Sequence, residues 1–276
     1  MRIVTFRQSG IVRHGVRAGN SIQVYPEAVS AIDLARRGAS LSAAGEAAFA
    51  DVELLPPVPN PGKIICIGLN YRAHAIEGGN PIPDYPAVFM RCTTSLAAPG
   101  GPMIYPTCSE KLDYEAELAV IIGKTARNVT AANALDHVAG YSCFNDGSVR
   151  DFQRKSTQWT MGKNFDGTGG FGPELVTPDE LPAGASGLRL VARLNGKIMQ
   201  DTSTADMIFD VATLIAILSE AMTLEPGDVI ATGTPSGVGY ARTPPVFMRP
   251  GDVIEIEIER IGTLTNVVAP RAVTTS

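Results

Sequence analysis

Two glutamates one residue apart, Glu115 and Glu117, precede an unbroken apolar run, Leu118 to Ile122. On a strand, residues i and i+2 share a face, which sets these carboxylates about 7 Å apart along the chain. Acids so placed repel each other unless a cation or a proton lies between them. Taken alone, a solvated strand end is the plainer reading. Against it, the run behind them leads into the core, so the acids stand at a core edge. Asp146, within Asn145-Asp146-Gly147-Ser148-Val149-Arg150-Asp151, adds a third carboxylate after the apolar segment Tyr141 to Phe144. Three oxygen ligands with no Cys or His beside them suit a hard cation. Mg2+ or Mn2+ fits that description, with Ca2+ also admissible, better than zinc does.

His74 and Glu77 follow in Gly68-Leu69-Asn70-Tyr71-Arg72-Ala73-His74-Ala75-Ile76-Glu77-Gly78-Gly79. If 71–77 is helical, the two lie on one face at i, i+3. A carboxylate beside an imidazole orients the ring for work as a general base. A surface His–Glu contact is the competing reading. The flanking Gly78-Gly79 and Pro81 would let the segment 71–80 move as a lid. Thr232-Gly233-Thr234-Pro235-Ser236-Gly237-Val238-Gly239 is not a phosphate loop, since no Gly-Lys-Ser/Thr ends it. Its hydroxyls and open N–H groups could instead hold a carboxylate. Gly162-Lys163-Asn164-Phe165-Asp166-Gly167 is a similar polar turn with one cation.

The elements that must carry these residues read mostly as strands. Lys63 to Ile67 and Leu118 to Ile122 are short apolar runs. Leu188 to Leu194, Asn195-Gly196 and Lys197 onward form a hairpin signal, because Asn-Gly supplies the positive φ of a type I′ turn. Ile254 to Glu259 alternates strictly, as a strand with one wet face does. Pro-Gly-Asp-Val-Ile, at 226–230 and 250–254, reads as a turn feeding a strand. A helix is expected from about Asp210, its N-cap, to Met222, and a shorter one over Ala131 to Val138. Arg2 to Phe6, a hairpin turning at Gly19-Asn20, and a partly helical Ile32 to Ala50 make a small leading unit. Proline lacks an N–H and restricts its neighbour, so Pro56 to Pro61 ends that unit. Residues 1–60 are therefore assigned to an N-terminal subdomain and linker, and 61–276 to the catalytic domain.

The totals are compatible with this. A chain of 276 residues can bury a sizeable core. A net charge of −5 with no Lys/Arg run disfavours nucleic acid and anionic membranes as partners. The four cysteines, Cys66, Cys92, Cys108 and Cys143, include no C-x-x-C pair, as expected of free thiols in a reducing compartment. Met1 to Gly10 has no apolar h-region and no run approaches transmembrane length, which makes the cytoplasm the expected location.

Five motifs, in one order, carry a resemblance. They are Gly-Leu-Asn-Tyr-x-x-His-x-x-Glu at 68–77, Tyr-Glu-Ala-Glu-Leu at 114–118, Asn-Asp-x-Ser-x-Arg-Asp-x-Gln at 145–153, Gln-Trp-Thr-x-Gly-Lys-x-Phe-Asp at 158–166, and Thr-Gly-Thr-Pro-Ser-Gly-Val-Gly at 232–239. The span from Ile65 to about Val267 resembles the fumarylacetoacetate hydrolase family. That resemblance implies a mixed β-rich α+β fold, a β-roll with a barrel-like core and few helices, usually as a homodimer. It implies Glu115, Glu117 and Asp146 as metal ligands, and His74 with Glu77 as the catalytic dyad on a mobile lid. Arg150, Gln153, Lys163 and Thr234 match positions lining the substrate pocket. Three places depart from the usual pattern: Gly147 after the metal Asp, the Gly-rich Thr168 to Pro173, and Arg91 where many members carry Lys.

The expected reaction is hydrolysis of a C–C bond in a small anionic 2,4-dioxo acid, of acylpyruvate or fumarylpyruvate type, in the catabolism of aromatic compounds. His74, oriented by Glu77, takes a proton from the attacking water, and Lys163 steadies the departing pyruvate enolate. The alternatives on the same scaffold are oxaloacetate decarboxylation and isomerisation of a 2-hydroxyhepta-2,4-diene-1,7-dioate. A non-enzymatic, metal-stabilised binding protein would need the carboxylates but not the dyad.

Overall fold

A computed structural model describes residues 1–271, and strands dominate its mixed α+β architecture. The main path of the largest sheet runs Gly45–Ala48, Ser21–Val24, Ile11–Ala18, Arg2–Gln8, Gly169–Val176, Val138–Asp146, Ala116–Ile122, Val229–Ala231, Ile64–Gly68 and Ala87–Arg91. A five-stranded sheet, ordered Lys197–Ser203, Arg189–Leu194, Val253–Ile258, Gly262–Pro270 and Pro102–Tyr105, shares its core. The barrel-like core implied by the resemblance is not a closed barrel among the described residues. The strands Gly45–Ala48 and Ala87–Arg91 stand at opposite ends of an open path.

Local chemistry explains the elements. Asn195 and Gly196 adopt φ of 52° and 76°, so the hairpin between Arg189–Leu194 and Lys197–Ser203 closes through the two-residue turn its sequence requires. Ile254, Ile256 and Ile258 are buried, and the intervening glutamates sit on the wetter face. The helix Val211–Ala221 is capped by the Asp210 carboxylate, which accepts from the Thr213 N–H, and it buries Val211, Leu214, Ile215 and Leu218. The two Pro-Gly-Asp turns share one device. Asp228 accepts from the Glu225 N–H and Asp252 from the Arg249 N–H, each three residues back.

The leading strands behave differently from their composition at one point. The Ala-rich stretch is α-helical over Ala31–Arg37, with single 3-10 turns at Gly38–Ser40 and Phe49–Asp51, and Gly45–Ala48 between them pairs with Ser21–Val24. Pairing to an edge outweighs weak helix propensity there. Val4, Phe6, Ile22 and Val24 form a small core of their own, and Arg2–Gln8 joins the rest through Arg2 and Ile3 against Val176 and Leu175.

His14, on Ile11–Ala18, shares a 2.9 Å hydrogen bond with the Thr5 hydroxyl. Burial lowers its pKa, opposed by Asp33. A histidine that prefers to be neutral when folded takes up more protons in the unfolded chain. Its contribution is therefore intact above the ordinary histidine value of 6.5 and is lost as pH falls through and below it. The expected result is a smaller acid-side drop in urea midpoint for His14→Gln than for the wild type between about pH 7 and pH 5. Parallel profiles would contradict it. Among the described residues no helix is long and apolar enough to cross a membrane.

Candidate active site

Sheet register assembles the acids. Ala116–Ile122 pairs antiparallel with Val138–Asp146, Ala116 opposite Asn145 and Glu117 opposite Phe144. The Asp146 N–H donates to the Glu115 carbonyl at 2.9 Å, and the Glu115 N–H donates to Asn145 Oδ1 at 3.0 Å. Glu115, Glu117 and Asp146 are all buried, and one oxygen from each lies within 4.8 Å of the others. Lys163, at the end of the helical turn Thr160–Lys163, puts Nζ 2.7 Å from Glu115 Oε2 and 2.6 Å from Asp146 Oδ2. Arg150 reaches Glu115 Oε1 at 2.7 Å and Asp113 Oδ2 at 2.8 Å.

The charges sort unevenly. Burial would raise the Glu115 pKa, but Lys163 and Arg150 overcome it and hold the group down at about 2. Burial would lower the Lys163 pKa, and Asp146 and Glu115 reverse that shift upward. Glu117 has no cation partner among the described residues and accepts only from the Gly233 N–H, at 2.9 Å. Burial, then Asp146 and Glu115, push its carboxyl well up. A buried, underneutralised carboxylate beside two others is a donor set that fits a divalent hard cation.

The segment expected to act as a lid is helical over Arg72–Glu77. His74 is buried, and its Nδ1 lies 3.3 Å from Glu77 Oε2. Its Nε2 makes no hydrogen bond to a described residue, and its ring lines the cavity that the acids face. Glu77 is held from behind, since both its oxygens accept from the Gly237 N–H, at 2.9 and 3.1 Å. The Gly-rich turn does hold carboxylates, and they are the protein's own. Gly233 serves Glu117, Gly237 serves Glu77, and the Gly239 and Tyr240 N–H groups serve Asp113 at 2.8 and 3.0 Å. Gly233, at φ +98°, turns the backbone that presents these donors.

The cavity has a volume of about 200 Å³. His74, Glu115, Glu117, Arg150, Gln153, Lys163 and Thr234 all line it, while Glu77 and Asp146 stand behind them. Gln153 accepts from Arg150 Nη1 at 2.9 Å, and Thr234 Oγ1 accepts from Gln200 at 2.8 Å. A profile described as fumarylacetoacetate (FAA) hydrolase C-terminal matches residues 63–269. The chain belongs to the fumarylacetoacetate hydrolase family. It is similar to the oxaloacetate tautomerase YisK of Bacillus subtilis, 46% identical over 222 residues that cover 79% of this chain and 73% of that protein. It is also similar to the human mitochondrial oxaloacetate tautomerase FAHD2A, 38% identical over 97% of this chain and 91% of that protein. Among solved structures it resembles maleylpyruvate hydrolase from Sphingobium sp. SYK-6 in complex with manganese(II) and pyruvate. The TM-score is 0.79 at 32% identity, over 98% of this chain and 99% of that one. The chain is thus an enzyme of a fumarylacetoacetate hydrolase superfamily that includes tautomerases, isomerases and hydrolases.

Sequence reading missed several parts of this family site. Asp113 anchors Arg150, and its place two residues before Glu115 was a signal for it. Arg154 lies one helical turn beyond Arg150 and also lines the cavity. Its guanidinium stands 4.5 Å from the centre of the Tyr240 ring, as does that of Arg150. Phe89 and Trp159, in edge contact at 5.7 Å, make the apolar wall.

Proposed function

We propose that this enzyme interconverts the enol and keto forms of a small 2-oxo dicarboxylate of the oxaloacetate type. The observation that carries the reading is one small cavity on which an imidazole, the Glu115 and Glu117 carboxylates and the cations Arg150, Arg154 and Lys163 converge, with the Asp146 carboxylate behind them. Its kinship with two oxaloacetate tautomerases supports the choice among reactions. A divalent cation held by Glu115, Glu117 and Asp146, Mg2+ or Mn2+, would supply Lewis-acid polarisation of the 2-oxo group. The chain's own residues do the rest. Arg150 Nη2 is buried without a partner and is a ready donor for a substrate oxygen. Lys163 places a positive charge where the enolate oxygen develops. His74 moves a proton between the enol oxygen and C3, so the reaction consumes and releases no net proton.

A second reading is the C–C bond hydrolysis expected from the sequence. The intact His74–Glu77 pair favours it, because the same base can take a proton from water. Decarboxylation of oxaloacetate needs no such base. Incubating the enzyme and Mg2+ with oxaloacetate, an acylpyruvate and fumarylpyruvate separates the three. Enol loss without pyruvate marks tautomerisation, pyruvate with CO2 marks decarboxylation, and cleavage of either dioxo acid marks hydrolysis.

Arg154 is the cation for the distal carboxylate in this reading. It has no ion pair among the described residues, whereas Arg150 and Lys163 are already paired. Arg154→Gln is expected to raise KM for oxaloacetate roughly tenfold, the loss of one charge-assisted hydrogen bond at an exposed site. Inhibition by oxalate, which lacks the distal group, should stay within about twofold on the same reasoning. Equal losses for both would refute that role.

The reading includes a homodimer, supported by the apolar Val88 and Met90 on the outer face of the end strand Ala87–Arg91, with Tyr85 exposed beside them. All four cysteines are free thiols, which supports a reducing compartment such as the cytoplasm.

A further inference from the structure

Three departures from the family pattern, Arg91, Gly147 and the Gly-rich stretch after Thr168, meet in one cluster. Arg91 ends the Ala87–Arg91 strand with its side chain fully buried. Its guanidinium makes four hydrogen bonds. Nε donates to Ser95 Oγ at 3.2 Å, Nη1 to Asp146 Oδ1 at 2.6 Å and to the Gly147 carbonyl at 3.1 Å, and Nη2 to Thr168 Oγ1 at 3.1 Å. Gly169 pairs with Asp146 across the sheet and lies flat against that guanidinium. A Cβ on Gly169 would stand 2.7 Å from Arg91 Nη2, and one on Gly147 would stand 2.0 Å from the Thr168 carbonyl oxygen. The two glycines are the space that the buried arginine and its partners need.

We propose that Arg91 is a positioning residue that leaves Asp146 only Oδ2, now on Lys163, to offer a cation, and that it thereby makes the carboxylate site select Mg2+ or Mn2+ over Ca2+. The inference rests on the metal assignment alone, so it stands or falls separately from the choice of substrate. The other two carboxylates are confined in the same way. Glu117 Oε2 accepts from the Gly233 N–H, and Glu115 Oε1 is taken by Arg150. The site therefore offers one unclaimed or exchangeable oxygen from each acid: Glu115 Oε2, Glu117 Oε1 and Asp146 Oδ2. The first and last now lie on Lys163 Nζ. Small octahedral ions accept single oxygens and complete their shell with water or substrate. Ca2+ prefers six to eight ligands and uses bidentate carboxylates. Bidentate binding by Asp146 would have to break the buried pair with Arg91.

The test is calorimetric titration of the full chain with MgCl2, MnCl2 and CaCl2. Arg91→Met frees Asp146 Oδ1. Gly169→Ala keeps the charge but crowds the guanidinium, and it decides the matter if Arg91→Met does not fold. In either folded variant, Mg2+ and Mn2+ affinity should fall about 10–100-fold, the usual effect of losing an outer-shell partner. Ca2+ affinity should hold or rise, because a freed or loosened Oδ1 lets Asp146 bind that ion bidentately. A merely structural role would weaken all three ions alike, so an unchanged Mg2+/Ca2+ affinity ratio overturns the proposal. A wild type that binds Ca2+ as tightly as Mg2+ and Mn2+, or binds none of the three, overturns it as well.

Discussion

Glu117→Gln is expected to lose more than the roughly 10–100-fold in Mg2+ affinity that even an outer-shell change costs. Turnover should fall on the order of a thousandfold, since Lewis-acid stabilisation is worth several kcal/mol and each ~1.4 kcal/mol is a factor of ten. The substitution keeps shape and removes only charge. In the folded protein Glu117 is buried with no cation partner, and burial and its acidic neighbours already push its carboxyl up. The metal-free variant should therefore be at least as stable as the metal-free wild type. Calorimetry and a thermal melt check both halves together. Unchanged Mg2+ and Mn2+ binding would remove Glu117 from the ligand set.

His74→Ala is expected to lower kcat by roughly 10²–10⁴-fold, the range for a general acid–base group. Metal affinity should survive, because His74 is not among the carboxylates that form the cluster. Any decarboxylation of oxaloacetate should fall much less, since that step needs an electron sink rather than this base. Steady-state rates at saturating Mg2+ give the comparison. Tautomerisation and acylpyruvate cleavage both persisting within about threefold of wild type, far outside the general acid–base range, would mean that His74 moves no proton.

What the sequence made legible follows from range. Glu115 and Glu117 were readable because strand periodicity is local, and the Asn195-Gly196 turn and the Asp210 cap are local too. The union of Asp146 with them depends on the register Ala116 to Asn145, a pairing between strands that no local pattern encodes. Residue type suggested Asp146 as a third oxygen ligand, and the motif resemblance matched it to the other two. The Gly-rich turn at 232–239 was visible as a set of open donors, but its partners, Glu77, Glu117 and Asp113, come from distant segments. Arg91 was noticed as a departure without a reason. The reason, a guanidinium laid against Gly169 and bonded to Asp146, exists only once the end strand Ala87–Arg91 brings Arg91 to the paired strands Val138–Asp146 and Gly169–Val176. The Ala-rich stretch from Ile32 is partly helical, as its composition implies, but where the helix gives way was not legible. Its composition favours helix, yet Gly45–Ala48 completes a sheet edge.

The most direct measurement is stopped-flow absorbance of freshly dissolved enol-oxaloacetate mixed with the enzyme and Mg2+. Tautomerisation predicts an enol decay rate that rises linearly with enzyme concentration, without matching pyruvate release, and that collapses in His74→Ala. Decay at the buffer rate, in an enzyme that cleaves an acylpyruvate or fumarylpyruvate, would contradict tautomerisation and leave hydrolysis in its place.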